Sequence, residues 1–345
     1  MSGTMRAYQL VRAGEAQMVD LPIPEPGPGQ VRLRMAGAGL CHSDLLVIHA
    51  DPAFFPLPAI LGHETTGWVD KLGEGVEGVE LGAAYGIYFP WGCGQCSPCR
   101  RGAENVCDKA PMVPGFGCGV DGGMAEYVIV DNVRHLIPLG SLDPVAAAPL
   151  MCAGITTYHA ILQAEPLLGP GSSAVVIGVG GLGHIAIQVL RTLTPARIIA
   201  VDRQPEKLVH ARALGADLAI EAGEAAAAAI RAATGGLGAG LVLDLVGNDA
   251  TLAFAQSVLA QGGQLQIVGV GGGTLPLRFH EMPRDATVAV PYAGTCSDLR
   301  AVVGLAQQGH VHAEIVEVRF DELADTYRRM EAGTLQGRAV LVPER

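Results

Sequence analysis

Four of the eight cysteines in this chain lie within one short segment, GCGQCSPCRRGAENVC, at residues 92–107. They are Cys93, Cys96, Cys99 and Cys107, with the spacing C-x2-C-x2-C-x7-C. Short loops with this spacing can wrap four thiolates around one tetrahedral zinc ion. An iron–sulfur cluster is the main alternative, but Asp108 stands where the ferredoxin pattern has proline. The spacing favours a structural zinc site, because four sulfur ligands leave no coordination position for a substrate.

Three further residues are candidates for a zinc site of a different kind. Cys41 lies in GLCHSDL, His63 in LGHET and Cys152 in LMCAG. Taken singly, a buried cysteine usually serves as a small apolar residue, and a histidine usually makes an ordinary hydrogen bond. A catalytic zinc ion needs three such protein ligands and one open position. The three residues are therefore stronger candidates for zinc ligands in combination than any of them is alone.

A glycine-rich turn indicates a dinucleotide site. The segment AVVIGVGGLG has Gly178, Gly180 and Gly183 in G-x-G-x-x-G spacing, between an apolar β run and a helical pattern. In such sites the first glycine makes the turn, the second admits the pyrophosphate and the third lets the helix pack closely. The next strand ends at Asp202, where a carboxylate favours NAD, although Arg203 beside it leaves NADP open. A glycine turn followed by a helix-capping aspartate, with no ligand, is the alternative.

The elements that must position these residues fall into two regions. The first 150 residues or so are rich in glycine and proline and contain short β runs such as QVRLRMAGAGL and MAEYVIV. From about residue 153, strand and helix signals alternate, as in SAVVIG and LGHIAIQVLRTL, which predicts a parallel sheet covered by helices. The alternation weakens near Pro291, and we expect the C-terminal segment to return to the first domain.

Charge and hydropathy exclude several classes of protein. The 34 acidic side chains outnumber the 23 basic ones, for a net charge of -11, so a nucleic acid would be repelled. The uncharged segment Pro166–Leu190 has the length of a membrane span, but its glycines favour a strand, a turn and a helix. The N-terminus lacks the apolar stretch of a secretory signal. We expect a cytoplasmic protein without membrane or nucleic-acid partners, where reducing conditions disfavour disulfides.

In their order along the chain, these motifs resemble the zinc-dependent alcohol dehydrogenases of the medium-chain dehydrogenase/reductase family, most of all the bacterial secondary alcohol dehydrogenases. The resemblance covers nearly the whole chain and rests on GLCHSD, LGHE, the four-cysteine segment, MCAGITTYHA, VIGVGGLG, Asp202 and GRAVLV. It implies an α/β protein with a GroES-like, β-rich catalytic domain at 1–153 and 291–345. A doubly wound Rossmann domain at 154–290 would bind NAD(H), and each chain would hold two Zn²⁺ ions, one catalytic and one structural.

The resemblance also assigns roles around the catalytic zinc, whose ligands would be Cys41, His63 and Cys152. Glu64 would lie beside that ion or serve as an alternate ligand, and Asp44 would orient His63 through its other ring nitrogen. Ser43 would bind the substrate oxygen, and His42 would approach the coenzyme pyrophosphate. The remaining coenzyme positions would be Gly178, Gly180, Gly181, Leu182, Gly183, Asp202, Arg203, Lys207, Val246, Val268, Gly269, Val270 and Arg338.

The implied reaction is reversible hydride transfer between an alcohol and NAD, with zinc as Lewis acid and Ser43 as the acceptor of the alcohol proton. Leu46 stands where well-known members have a histidine that continues the proton relay. His42, His49 or ordered water could replace that step. Cys152 stands where some secondary alcohol dehydrogenases have aspartate, and a second thiolate should leave the zinc less electrophilic.

Four aromatic residues occupy family positions that line the substrate pocket, which would favour an apolar or aryl substrate; ordinary core packing is the alternative. They are Phe54, Phe55, Trp91 and Tyr292. Family members are dimers or tetramers, and the bacterial ones are usually tetramers. We therefore expect a homotetramer, with a homodimer as the alternative.

Three functions remain as hypotheses. The first is an NAD-dependent zinc alcohol dehydrogenase that converts an alcohol, above all a secondary, apolar or aryl one, into a ketone or aldehyde. The second is a dehydrogenase for a polyol or a specialised catabolic alcohol, although polyol relatives commonly have glutamate at the position of Cys152 and often lack the cysteine segment. The third, a non-catalytic coenzyme-binding protein, would be marked by loss of catalytic ligands, and all three are present here.

Overall fold

The computed structural model describes residues 3–50, 55–109, 115–335 and 337–343. The chain forms two compact units, the first containing Met1–Ile155 and Thr295–Arg345 and the second Thr156–Gly294. The assignment of a catalytic domain to 1–153 and 291–345, and of a coenzyme domain to 154–290, stays a prediction.

The β-strands lie in both units. In chain order they are β1 (Thr4–Arg12), β2 (Glu15–Pro22), β3 (Val31–Gly39), β4 (Ala59–Ile60), β5 (Glu64–Leu72), β6 (Ala84–Ile87), β7 (Gly115–Phe116), β8 (Gly119–Val120), β9 (Tyr127–Val130), β10 (Leu136–Pro138), β11 (Ser173–Ile177), β12 (Arg197–Asp202), β13 (Leu218–Glu221), β14 (Ala239–Asp244), β15 (Leu259–Ile267), β16 (Thr287–Ala289), β17 (Ile315–Val318) and β18 (Arg338–Leu341).

The helices are mostly short in the first unit and longer in the second. The α-helices are α1 (His42–Ile48), α2 (Ser97–Arg100), α3 (Pro144–Ala147), α4 (Ala153–Ala164), α5 (Gly183–Leu193), α6 (Pro205–Ala213), α7 (Ala226–Ala233), α8 (Asp249–Val258), α9 (Cys296–Gln307) and α10 (Leu323–Glu331). Short 3-10 turns occur at Glu104–Val106, Val133–His135, Ala148–Met151, Glu165–Leu167 and Phe320–Glu322.

The first unit is built around a mixed sheet with the order β10-β6-β5-β3-β18-β17, in which β9 also pairs with β3. A smaller sheet, β2-β1-β4, packs its buried side chains into one core with α1 and α10. β3 is the centre of this unit, because it pairs antiparallel with β5, β9 and β18. Residues just beyond the ends of these buried strands are consequently held in place by the core.

The second unit is a six-stranded parallel sheet with the order β13-β12-β11-β14-β15-β16. All five residues of β11 are buried, as expected for a parallel strand that is covered on both faces. The uncharged segment 166–190 forms β11, a turn and the start of α5, as its glycines predict. The α/β class with a β-rich region and a doubly wound parallel sheet is thus confirmed.

Within 3–50, 55–109, 115–335 and 337–343, no single helix has the length and apolar composition of a bilayer span. Pro144–Met151 and Ala153–Leu167 reach that composition only as a pair, and they are bent by 45° at their junction.

Candidate metal centres and coenzyme site

The four-cysteine segment folds into a compact loop in which its sulfur atoms converge. Cys96 precedes α2, whose first turn carries Cys99, and Cys107 follows the turn Glu104–Val106. The sulfur–sulfur distances are 3.3 Å for Cys96 and Cys99, 3.8 Å for Cys96 and Cys107, and 4.0 Å for Cys93 and Cys99. A disulfide would need about 2.05 Å. Four sulfurs bound to one tetrahedral zinc at about 2.3 Å lie about 3.8 Å apart, so the donor set fits zinc.

Backbone amides support thiolate character in this loop. The N–H groups of Gln95 and Cys96 lower the pKa of Cys93 to about 6. The N–H of Cys93 likewise lowers the pKa of Cys107, whereas burial raises the pKa of Cys99 to about 12. Four thiolates at these distances repel one another, so that full ionisation requires a cation between them. The convergence of the four sulfur atoms supports the sequence prediction of a closed structural zinc site.

The second cluster joins residues that are far apart in the chain. Cys41 follows β3 and precedes α1, His63 precedes β5, and Cys152 follows the turn Ala148–Met151. Each of these side chains is at most 9% exposed. Their donor atoms and one carboxylate oxygen of Glu64 all lie within 4.8 Å of one another. The structure therefore brings together the three ligands that the sequence predicts for a catalytic zinc.

The chemistry of these donors also fits zinc. A hydrogen bond from Cys152 lowers the pKa of Cys41 well below its ordinary value, with further support from the charge of Arg338. Two sulfur donors and one imidazole are ligands that zinc accepts, and they leave one tetrahedral position for a substrate oxygen. His63 turns its Nδ1 towards Asp44, 3.1 Å from Oδ1, which leaves Nε2 as the nitrogen available to a metal.

Asp44 connects several parts of this cluster. It lies in the first turn of α1 and is fully buried, and its Oδ2 accepts a hydrogen bond of 2.8 Å from the backbone N–H of Cys41. The same oxygen accepts a hydrogen bond of 2.9 Å from the hydroxyl of Tyr327 on α10. The family resemblance predicts the contact of Asp44 with His63, whereas the motifs give no signal for Tyr327.

Glu64 forms a buried ion pair with Arg338, the first residue of β18. The Nε of Arg338 donates to Oε2 of Glu64 at 3.0 Å, and a second guanidinium nitrogen contacts Oε1. Burial raises the pKa of Glu64 to about 7, although the charge of Arg338 opposes that shift. The structure thus places Arg338 on Glu64, and its expected role at the coenzyme pyrophosphate stays a prediction.

The candidate proton relay lies along α1. Ser43 is half-buried, with its Oγ 3.6 Å from Sγ of Cys41. His42 and His49 are exposed at the two ends of the helix, and Leu46 is 53% exposed between them. The helix therefore offers no polar side chain at position 46. The candidates for the next proton acceptor after Ser43 are His42, His49 and water.

The four aromatic candidates have different environments. Phe54 lies outside the described residues, and the half-buried Phe55 packs against the core of the first unit. Trp91 stacks on the ring of His135 at 4.9 Å and donates from its indole nitrogen to the carbonyl of Tyr88 at 2.7 Å. Tyr292 belongs to the second unit and is 39% exposed. Their role as pocket walls stays a prediction.

The glycine turn of the second unit has the geometry of a dinucleotide loop. Gly178 has a φ of 91°, in the left-handed region that favours glycine. A Cβ at Gly183 would collide with the carbonyl oxygen of Gly178, whereas a Cβ at Gly180 would point into open space. Asp202 ends β12 and accepts hydrogen bonds from the N–H groups of Val179 at 2.7 Å and Gln204 at 3.0 Å. The residues present therefore fit a coenzyme whose pyrophosphate passes over Gly180.

The other coenzyme candidates lie at the same edge of the parallel sheet, beyond the carboxyl ends of its strands. They are Gly181, Leu182, Arg203, Lys207, Val246, Val268, Gly269 and Val270. The loops after β14 and β15 touch there, since a Cβ at Gly269 would collide with the backbone of Val246. A cleft of about 940 Å³ at the opposite edge, lined in part by Ser173, Arg231 and Leu259, contains none of the candidate residues.

Comparison with known proteins agrees with these features. Residues 27–141 match the alcohol dehydrogenase GroES-like domain, and residues 181–308 match the zinc-binding dehydrogenase domain. The NAD-dependent alcohol dehydrogenase of Sulfurisphaera tokodaii is 36% identical, over 98% of this chain and 100% of that protein. The D-arabinose 1-dehydrogenase (NADP(+)) of Saccharolobus solfataricus is also 36% identical, over 94% and 93%.

Solved structures of an alcohol dehydrogenase and of a related reductase are also similar to this chain. The alcohol dehydrogenase of Aeropyrum pernix has a TM-score of 0.90 at 35% identity, over 98% of this chain and 100% of that one. Acetophenone reductase of Geotrichum candidum, in complex with NAD, has a TM-score of 0.87 at 28% identity, over 99% and 98%. The predicted combination of a GroES-like domain and a Rossmann-type domain is confirmed. The chain belongs to the zinc-dependent alcohol dehydrogenases of the medium-chain dehydrogenase/reductase family.

Proposed function

We propose that this chain is an NAD-dependent zinc alcohol dehydrogenase, which interconverts an alcohol and NAD with a ketone or aldehyde and NADH. The observation that carries the proposal is the convergence of Cys41, His63 and Cys152 within one buried cluster. Three such ligands suit a tetrahedral ion that keeps one position for substrate. The similarity to NAD-dependent alcohol dehydrogenases supports the same activity.

Two zinc ions have distinct places in this proposal. Cys93, Cys96, Cys99 and Cys107 hold a structural ion, and Cys41, His63 and Cys152 hold a catalytic one. An ion at the catalytic position supplies a Lewis acid that makes an alcohol easier to deprotonate. Ser43, whose hydroxyl lies beside Cys41 at the start of α1, accepts the substrate proton while its own hydroxyl proton passes to His42, His49 or water. Asp44 keeps the ring of His63 in one orientation.

The coenzyme belongs to the second unit. The turn Gly178–Gly183 would hold the coenzyme pyrophosphate through the backbone and the start of α5, and the bound coenzyme would supply the hydride acceptor as NAD or the hydride donor as NADH. Asp202 accepts hydrogen bonds from the adenosine ribose and repels a 2′-phosphate, which selects NAD. In this assignment the segments 1–153 and 291–345 are the catalytic domain, and 154–290 is the coenzyme domain.

The substrate in this proposal is an apolar or aryl secondary alcohol. The family resemblance assigns Phe54, Phe55, Trp91 and Tyr292 to the pocket, which favours an apolar substrate, and similarity to acetophenone reductase supports an aryl ketone as product. A polyhydroxy substrate is the second candidate, because the chain is 36% identical to a D-arabinose 1-dehydrogenase, as it is to the NAD-dependent alcohol dehydrogenase of Sulfurisphaera tokodaii. The presence of both cysteine clusters favours an enzyme over a non-catalytic coenzyme-binding protein.

We place the enzyme in the cytoplasm as a homotetramer, without membrane or nucleic-acid partners. The outer strand β16 of the parallel sheet is followed by Val290, which is 75% exposed, and is preceded by Leu277 and Phe279, which are 64% and 92% exposed. Exposed apolar side chains beside a free sheet edge suit association between copies of this chain. Light scattering during size-exclusion chromatography tests this assembly, and a monomer at micromolar concentration would contradict it.

Metal analysis combined with a substrate panel tests the activity. We expect two zinc ions per chain and NAD-dependent oxidation of 2-butanol and 1-phenylethanol in preference to ethanol and D-arabinose. Cys41→Ala should retain one zinc ion and lose all turnover. Cys296→Ala, a cysteine outside both clusters, should retain two zinc ions and full activity. A metal-free protein that oxidises these alcohols would overturn the proposal.

A further inference from the structure

Tyr327 places a buried hydroxyl beside the catalytic cluster, and none of the sequence motifs includes it. The residue lies on α10 and is 5% exposed. Its hydroxyl donates to Oδ2 of Asp44 at 2.9 Å and lies 3.4 Å from Sδ of Met124. The two partners of this hydrogen bond are 283 residues apart in the chain.

Asp44 is held by contacts on both of its oxygens. Oδ2 accepts from the backbone N–H of Cys41 at 2.8 Å and from Tyr327, while Oδ1 lies 3.1 Å from Nδ1 of His63. Two of these three partners are candidate zinc ligands. The orientation of the Asp44 carboxylate therefore affects the imidazole of His63 and the backbone that carries Cys41.

Tyr327 is suited to be a permanent donor. Burial, together with the charge of Asp44, raises its pKa well above the ordinary value, so the phenol keeps its proton. Its ring lies stacked on Tyr8, with the centroids 6.3 Å apart and the planes at 19°. This packing holds the ring in place, and a phenylalanine would occupy the same space without the hydroxyl.

We propose that Tyr327 is a positioning residue of the catalytic zinc site, because its hydroxyl holds Asp44 in the orientation that directs His63 and Cys41 towards one ion. The inference rests on the proposed function, since it requires zinc at Cys41, His63 and Cys152. Tyr327 touches neither metal nor substrate and acts only through Asp44. Partners that orient a metal ligand typically change metal affinity by about 10- to 100-fold when they are removed.

Zinc release from the purified holoenzyme tests this role. In Tyr327→Phe, transfer of one of the two zinc ions to a chromogenic chelator should become about 10-fold faster, while the other ion is released at the parental rate. The visible spectrum of protein with cobalt in the catalytic position should also change. Tyr8→Phe removes a hydroxyl from the stacked partner without touching Asp44, and both readouts should stay at the parental values.

A double-mutant cycle separates positioning from packing. Asp44→Asn should speed release of the same zinc ion, and adding Tyr327→Phe to it should have little further effect, because the two act in one path. Parental release rates and cobalt spectrum in Tyr327→Phe would overturn the inference, even if Cys41→Ala still loses one zinc ion. A parent protein that contains only the zinc of the four-cysteine loop would instead overturn the proposed function.

Discussion

Gly180 allows the coenzyme site to be tested apart from the stability of the fold. The structure shows open space where a Cβ at this position would lie, and its backbone is outside the left-handed region. Replacement by alanine therefore requires no movement of the protein. If the pyrophosphate passes over this residue, the added methyl group occupies space that the coenzyme needs.

The expected magnitudes follow from these contacts. One methyl group too many in a close-packed contact costs about 1–3 kcal/mol. Because 1.4 kcal/mol corresponds to a factor of ten, NADH should bind about 5- to 150-fold more weakly to Gly180→Ala. The stability of the free protein should be unchanged or about 0.4–1 kcal/mol higher, since alanine restricts the unfolded chain more than glycine does.

Gly183→Ala provides the matched control, because the same substitution three residues later has the opposite environment. Its Cβ would collide with the carbonyl oxygen of Gly178, so the backbone of the turn must shift. We expect a loss of stability of about 1–3 kcal/mol or more. NADH affinity is measured by the quenching or transfer of protein fluorescence, and stability by the thermal unfolding midpoint without coenzyme.

Two results would refute this reasoning. Unchanged NADH affinity in Gly180→Ala would mean that the pyrophosphate does not approach this glycine. A large drop in the unfolding temperature of Gly180→Ala would mean that the space beside it is filled in the folded protein. The expected pair of effects, on binding alone at one glycine and on folding at the other, distinguishes the site from a simple turn.

Three further predictions concern other parts of the chain. Asp202→Gly should raise the ratio of kcat/KM for NADP over NAD, and an unchanged ratio would contradict the role of this carboxylate. Despite partial burial, the N–H of Ile198 and the guanidinium of Arg191 lower the pKa of Asp217. Asp217→Asn should therefore destabilise the protein at pH 7 in chemical unfolding, by less than about 1 kcal/mol, because the side chain is 39% exposed and solvent screens the ion pair. The difference should shrink as the pH falls below about 4, because a carboxylate with a lowered pKa loses its contribution on protonation. Cys99→Ser should reduce zinc content from two ions to one and lower the unfolding temperature, and retention of both ions would contradict the assigned structural site.

The sequence predicts features that depend on short segments. Sixteen residues contain all ligands of the four-cysteine loop, and the turn from Gly178 to Gly183 needs only the strand before it and the helix after it. Alternation of strands and helices likewise indicates the parallel sheet. Each pattern is local, so its physical meaning can be derived without knowing how distant parts of the chain meet.

The rest of the site depends on contacts between distant residues. Cys41, His63 and Cys152 are weak candidates when considered singly, and only the family resemblance joined them. The sequence pattern of α10 predicts only a buried helix face that packs into the core. No residue near Tyr327 in the sequence indicates that its hydroxyl contacts Asp44. The contact between Tyr327 and Asp44 depends on the packing of α10 against α1. The spacing of residues along the chain does not specify that packing.

Buried charge explains why these contacts belong together. Glu64 and Arg338 form a pair whose charges offset each other. A zinc ion held by Cys41 and Cys152 would balance the charges of their two thiolates and form a neutral unit with them. Asp44 is a further buried acid beside this cluster, and the contacts described above give it hydrogen-bond donors rather than a full counter-charge. Because an isolated buried charge costs several kcal/mol, its stability depends on the donors around it. The hydroxyl of Tyr327 is one of those donors, so positioning of the ligands and stabilisation of this carboxylate are two effects of the same hydrogen bond.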